Sequence, residues 1–135
     1  MTSWNDSLQI GVSLIDEQHH ELVNKLDEFV DFCKHGDGSE EVGQTLKYVV
    51  SYIRMHFKDE EELQALYAYP DMIAHKKLHE WFIQNTIDLV QELKKNGPSE
   101  DLSEKVRKSL LLWFVRHIHI EDMKVGIYLK DAGHE

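Results

Sequence analysis

The sequence predicts an all-α fold: an up-down-up-down antiparallel four-helix bundle with an N-terminal arm and a short C-terminal tail. Apolar residues recur at intervals of three and four through four long stretches, the period of a helix face. Short Gly- or Pro-bearing segments separate these stretches, which forces neighbouring helices to run antiparallel. Nowhere do apolar and polar residues alternate as they do along a strand. At 135 residues the chain reads as one domain, with the arm over about 1–13, the bundle over about 14–126 and the tail over 127–135.

The arm holds Trp4, Gly11 and scattered polar residues without helical period. The first helix begins near Leu14 and carries Ile15, His19, Leu22, Leu26, Phe29, Val30 and Cys33 on one stripe. HGDGS (35–39), with two glycines, ends it. In the second helix Val42, Leu46, Val49, Val50, Ile53, Phe57, Glu60 and Leu63 fall in register, and Pro70 prevents continuation beyond the turn at 65–71. Asp71 is the expected N-cap of the third helix, whose stripe runs through Met72, His75, Leu78, His79, Phe82, Thr86, Val90 and Leu93. Asn96-Gly97-Pro98 stops that helix, and Ser99 caps the fourth. The fourth stripe is Leu102, Val106, Leu110, Phe114, His117, Ile118, Glu121 and Val125, with Gly126 expected to close the helix.

Composition excludes several functions. The formal net charge is −10, with no block of Lys and Arg, which argues against nucleic acid or acidic lipid as partner. Cys33 is the only cysteine, so an intrachain disulfide and a thiolate-rich metal site are both ruled out. The N-terminus lacks a basic segment followed by an apolar core, and no apolar run approaches the roughly 20 residues that span a bilayer. A cytoplasmic location is expected.

Seven residues of metal-ligand type fall in four groups: His19, His56-x-x-x-Glu60, His75-x-x-x-His79 and His117-x4-Asp122. Helix direction places all four groups at the same end of the bundle. Side chains at i and i+4 point about 40° apart, one turn from each other, so the second and third groups can each aim two ligands into one small volume. His117 and Asp122 are five apart and so diverge by about 140° on an α-helix, which suits two adjacent metals better than one. Five imidazoles and two carboxylates are too many for one metal. A carboxylate can bridge two cations whereas an imidazole normally binds one, so Glu60 and Asp122 are the natural bridges and the histidines the terminal ligands. Mixed nitrogen and oxygen donors without thiolate suit iron or manganese, and zinc needs fewer ligands. Other metal motifs fail. His79-Glu80 is not followed by the second histidine of HExxH, and the Glu-x-x-His spacing of ferritin-like sites occurs once, at Glu17/His20.

The segments DEQHHEL (16–22), HFKDE (56–60), HKKLH (75–79) and HIHIED (117–122), with Trp4 in the arm, resemble the hemerythrin family over essentially the whole chain. The resemblance implies a non-haem di-iron centre that binds O₂ reversibly, for storage, transport or delivery. Carried over by position, His75, His79 and His117 hold one iron and fill its coordination. His19 and His56 hold the other and leave one position open, while Glu60, Asp122 and an oxo or hydroxo group bridge the pair. The ligand is His19, not His20, which rotates about 100° away. Family-equivalent positions make Phe57, Phe82, Trp113, Phe114 and Ile118 the apolar O₂ pocket, though plain core packing would place them there too.

His119 departs from the family pattern. It is either a surface residue or part of an access path, where it could act as acid–base and give a peroxidase-like side activity. The expectation is a monomeric, non-enzymatic O₂-binding protein. A di-iron peroxidase or oxidase, an oxygen or redox sensor, and an iron store are the competing readings. Nothing in the sequence identifies an acceptor protein for O₂.

Overall fold

The computed structural model describes residues 3–35 and 39–134. Among them are four long helices and no strand. Helix α1 spans Ser13–His35, α2 Ser39–Leu66 and α3 Met72–Asn96. The fourth, α4, runs over 100–131 and departs twice from α geometry, widening into π-helical turns at Arg107–Leu112 and Ile118–Asp122. Each helix packs on its neighbours in the ring, α1 on α2, α2 on α3, α3 on α4 and α4 on α1. The core stripe is as apolar as the sequence pattern predicts, with Ile15, Leu22, Leu26, Phe29, Ile53, Phe82, Leu110 and Phe114 all buried. The middle of the predicted turn at 35–39 and the side chains of Val42 and Leu46 lie outside the described residues.

Helix ends follow the sequence signals with two exceptions. Ser99 caps α4 as expected, its Oγ accepting from the Leu102 amide at 3.0 Å. Gly97 takes a positive φ of 75° beyond α3, and its amide donates to the Leu93 carbonyl at 2.8 Å. Asp71 occupies the N-cap position of α3, but its side chain makes no capping hydrogen bond. Gly126 does not close α4, which continues to Asp131 and leaves 132–134 as the described tail.

The arm explains Gly126. Asn5 caps a single 3₁₀ turn, Asp6–Leu8, and Leu8, Ile10 and Val12 then bury themselves against the bundle. The Asp16 carboxylate accepts from the amides of Ile10 at 2.7 Å and Gly11 at 3.1 Å, which fixes the entry into α1. Ile10 lies directly on Gly126: a Cβ built there would be 2.3 Å from the Ile10 carbonyl oxygen. The glycine marks a close approach inside a helix, a role that sequence cannot separate from a helix stop. Gly126→Ala is therefore expected to destabilise the fold by about 1–3 kcal/mol through overpacking. Thermal denaturation checks it; an unchanged midpoint would mean that the arm does not dock as described.

The extended α4 also secures the α2–α3 turn. Tyr128, beyond Gly126, donates its hydroxyl to the carbonyl of Tyr67 at 2.8 Å and also lies 3.1 Å from that of Ala68. Ala68 adopts φ 54°, an unfavourable value for a residue with a side chain. The Tyr128 contact holds the turn where it must reverse direction, and the ligand-bearing ends of α2 and α3 are held with it.

Candidate metal centre

All seven residues singled out by spacing meet at one end of the bundle. His19, His56, Glu60 and Asp122 are fully buried, and His75, His79 and His117 are nearly so. Helix α1 contributes His19, α2 His56 and Glu60, α3 His75 and His79, and α4 His117 and Asp122. Donor atoms fall into two overlapping groups, each compact enough for one ion: Glu60, His75, His79, His117 and Asp122 in one, and His19, His56, Glu60 and Asp122 in the other.

The carboxylates divide their oxygens between the groups. Glu60 Oε1 lies 2.8 Å from His75 Nε2 and 3.6 Å from His79 Nε2. Its Oε2 lies 3.3 Å from His56 Nε2 and 3.8 Å from His19 Nε2. Asp122 repeats the arrangement, with Oδ1 2.9 Å from His75 Nε2 and 3.1 Å from His117 Nε2, and Oδ2 3.0 Å from His19 Nε2.

The contact between His117 and Asp122 corrects the 140° divergence expected of the pair. The turn Ile118–Asp122 is π-helical, and its i→i+5 spacing returns Asp122 over His117. The pair therefore converges on one point. Five-residue spacing looked divergent only because regular α geometry was assumed.

These contacts are not hydrogen bonds. The Nε2 atoms of all five histidines, Glu60 Oε2 and both Asp122 oxygens are buried without a hydrogen-bond partner. Buried polar groups are normally satisfied, and a cluster of orphaned lone-pair donors turned toward common points is what a cation would satisfy. The donor set, nitrogen and oxygen without sulfur, fits iron.

Charge within the cluster follows the same geometry. Burial alone would depress the imidazole of His19, but Asp122 and Glu60 override it and raise its pKa to about 9. His75 is likewise raised to about 10 against its own burial. For His56 burial wins and the pKa falls. Burial and mutual repulsion would push the Glu60 carboxyl up, yet the imidazoles of His19, His56 and His75 hold it well below the usual carboxylate range. Asp122 is held low against its burial by the charge and contact of His117, and by His19 and His75.

Metal loading must displace the protons on His19 and His75, so apparent affinity is expected to tighten with rising pH. The gain is about tenfold per pH unit for each proton displaced. Metal titrations one pH unit apart near neutrality check this, and a pH-independent affinity would contradict it. In the metal-free protein the sign is opposite. The two raised histidines stabilise the fold fully below their ordinary value of 6.5, and that share is lost as pH climbs through about 9 and 10.

Four polar residues that the sequence did not single out orient the cluster. Gln18 Oε1 accepts from His56 Nδ1 at 2.8 Å, while Gln18 Nε2 donates to Asp59 at 2.8 Å. Glu61 Oε2 accepts from His79 Nδ1 at 2.8 Å. Gln64 Nε2 donates to Glu60 Oε1 at 3.2 Å. Each Nδ1 contact fixes a tautomer that leaves Nε2 free for a cation. The one signal available was position: Gln18 precedes His19, Glu61 follows Glu60, and Gln64 lies one turn beyond Glu60.

Aromatic rings back the ligands. Phe57 stacks on His79 with centroids 3.7 Å apart, and Trp113 stacks on His117 at 4.9 Å. Phe114 presents its ring edge-on to both His19 and His56. Phe82 touches Phe57, Trp113 and Phe114, and Ile118 is fully buried. His119 is exposed, and His20 is exposed and stacked on Trp4 at 4.7 Å, so neither joins the cluster.

A four-helix bundle that buries five imidazoles and two carboxylates at one end belongs to the class of helical-bundle metalloproteins. Within that class the chain is a member of the hemerythrin family: residues 10–126 match the hemerythrin HHE cation-binding domain. It is 33% identical over 127 residues to the bacteriohemerythrin of Stenotrophomonas maltophilia (strain R551-3), covering 94% of this chain and 80% of that protein. It is 31% identical to the myohemerythrin of Theromyzon tessulatum, covering 90% and 88%. Its fold is similar to the crystal structure of wild-type hemerythrin, with a TM-score of 0.81 and 26% identity over 96% of this chain and 98% of that one.

Proposed function

We propose that this protein binds O₂ reversibly at a non-haem di-iron centre, in a storage, transport or delivery role. One observation carries the reading: each of the two carboxylates turns one oxygen toward the three-histidine group and its other oxygen toward the two-histidine group. That is the arrangement of two bridges between unequal neighbours. His75, His79 and His117 would hold one iron and His19 and His56 the other, with Glu60 and Asp122 shared, in line with the two overlapping donor groups. A solvent-derived oxo or hydroxo group would complete the bridging, as the family resemblance implies. Loaded with two ferrous ions, these residues would hold a pair able to lend two electrons to O₂ and recover them on release.

The chain's own residues do the rest. Unequal histidine counts leave the His19/His56 side one ligand short, which is where a small molecule has room. Phe114 sits against both of those imidazoles and is the pocket wall the contacts support most directly; Phe82 packs on it, Phe57 packs on Phe82, and Ile118 is buried. Trp113 backs His117 on the other side. An apolar wall admits O₂ while keeping water and anions from the metals. A peroxidase-like side activity would need an acid–base on the access path, and His119, the candidate for it, is exposed. We take the protein to act as a cytoplasmic monomer; no described helix is long and apolar enough to cross a membrane.

The test is absorption spectroscopy of iron-loaded, reduced protein through repeated cycles of O₂ and vacuum. A charge-transfer band that appears with O₂ and vanishes without it supports the reading. Irreversible oxidation at the first exposure contradicts it.

A further inference from the structure

Gln64 lies one turn beyond Glu60 on α2 and is fully buried. Its Nε2 donates to Glu60 Oε1, the oxygen that faces His75 and His79. Its side-chain oxygen Oε1 has no hydrogen-bond partner and no access to solvent, whereas its backbone carbonyl accepts from the Tyr69 amide at 2.8 Å. The amide cannot turn over to relieve this, because the reverse orientation would set a carbonyl oxygen against a carboxylate oxygen. An unbranched apolar side chain such as Met would fill a similar volume without burying an unpaired polar atom. As a core side chain Gln64 is therefore a poor choice, and among the described residues its side chain hydrogen-bonds to Glu60 alone.

We propose that Gln64 is a positioning residue for the bridging carboxylate and tunes the metals through it. This rests on the reading of Glu60 as a metal bridge. The Gln64 amide restrains Glu60 rotation, so that Oε1 stays with the three-histidine group and Oε2 with the two-histidine group. By donating to Oε1 it also draws charge from the oxygen that would bind iron. A less donating bridge favours the ferrous state, the form that binds O₂. The orphaned carbonyl is a stability cost borne for that donor, in keeping with local rules being broken at functional sites.

The test compares the parent with Gln64→Met in three measurements: melting of the metal-free protein, ferrous-ion affinity measured anaerobically against a competing chelator, and the reduction midpoint of the loaded protein. The metal-free variant is expected to melt at the same temperature or higher. Its ferrous affinity is expected to fall about 10–100-fold, the usual loss for removing a partner of a ligand. Its midpoint is expected to shift downward, because Glu60 regains charge. An unchanged affinity or an unchanged midpoint would overturn the proposal, whatever happens to stability. Glu60→Gln, run alongside, separates the two claims. If Glu60→Gln impairs metal binding and Gln64→Met does not, only the Gln64 proposal fails. If Glu60→Gln also binds like the parent, the ligand reading beneath it fails.

Discussion

Replacing Glu60 with alanine is expected to abolish binding of the metal pair. Glu60 is the one residue of α2 that belongs to both donor groups, and its two oxygens face opposite ways. Its loss takes an anionic donor from each metal at once and leaves Asp122 as the sole protein bridge. The fall in affinity is expected to exceed the about 10–100-fold that follows loss of an outer partner. His19 and His75 would also lose a carboxylate that raises their pKa, and burial would then count for more. His56 offers the contrast, because it belongs to the two-histidine group alone. His56→Ala is expected to leave the three-histidine site able to bind, so that metal analysis finds one iron per chain rather than two. Equal losses from the two substitutions would mean that the groups are not partitioned as described.

Phe114→Ala is expected to be the most damaging single change in the apolar core near the centre. The ring is fully buried, lies edge-on to His19 and His56, and packs on Phe82. Truncation removes that burial and leaves a cavity, at a cost of about 3–5 kcal/mol. Against a total stability of about 5–15 kcal/mol this is a large fraction. The metal-free midpoint should drop by roughly 10–20 °C. A second effect follows from position: a cavity lined by His19 and His56 has polar atoms to hold water, which an apolar ring excludes. The iron-loaded variant is therefore expected to lose its O₂-dependent absorption faster than the parent. A melting loss without faster loss of absorption would show that Phe114 supports the core and not the pocket.

Sequence spacing picked out the seven clustered residues because repeats of i and i+4 on amphipathic stretches demand a shared face, and antiparallel order then puts four faces at one level. Ser99 and Gly97 were legible for a similar reason, since each acts through its immediate neighbours in the chain. What escaped depended on contacts between distant segments or on departures from ideal geometry. The convergence of His117 and Asp122 needs a π turn, and nothing in HIHIED distinguishes one from regular helix. Gly126 reads as a helix stop until the arm is seen to place Ile10 on it. Gln18, Glu61 and Gln64 carry no distinguishing signal, because a polar residue in sequence looks the same whether it meets water or an imidazole.

The central claim is that two irons occupy unequal sites joined by Glu60 and Asp122. Mössbauer spectroscopy of fully loaded protein after exposure to O₂, with iron content measured on the same sample, tests it most directly. Two irons per chain in two distinguishable environments of equal population are expected. One iron per chain, or two irons in a single environment, would contradict it.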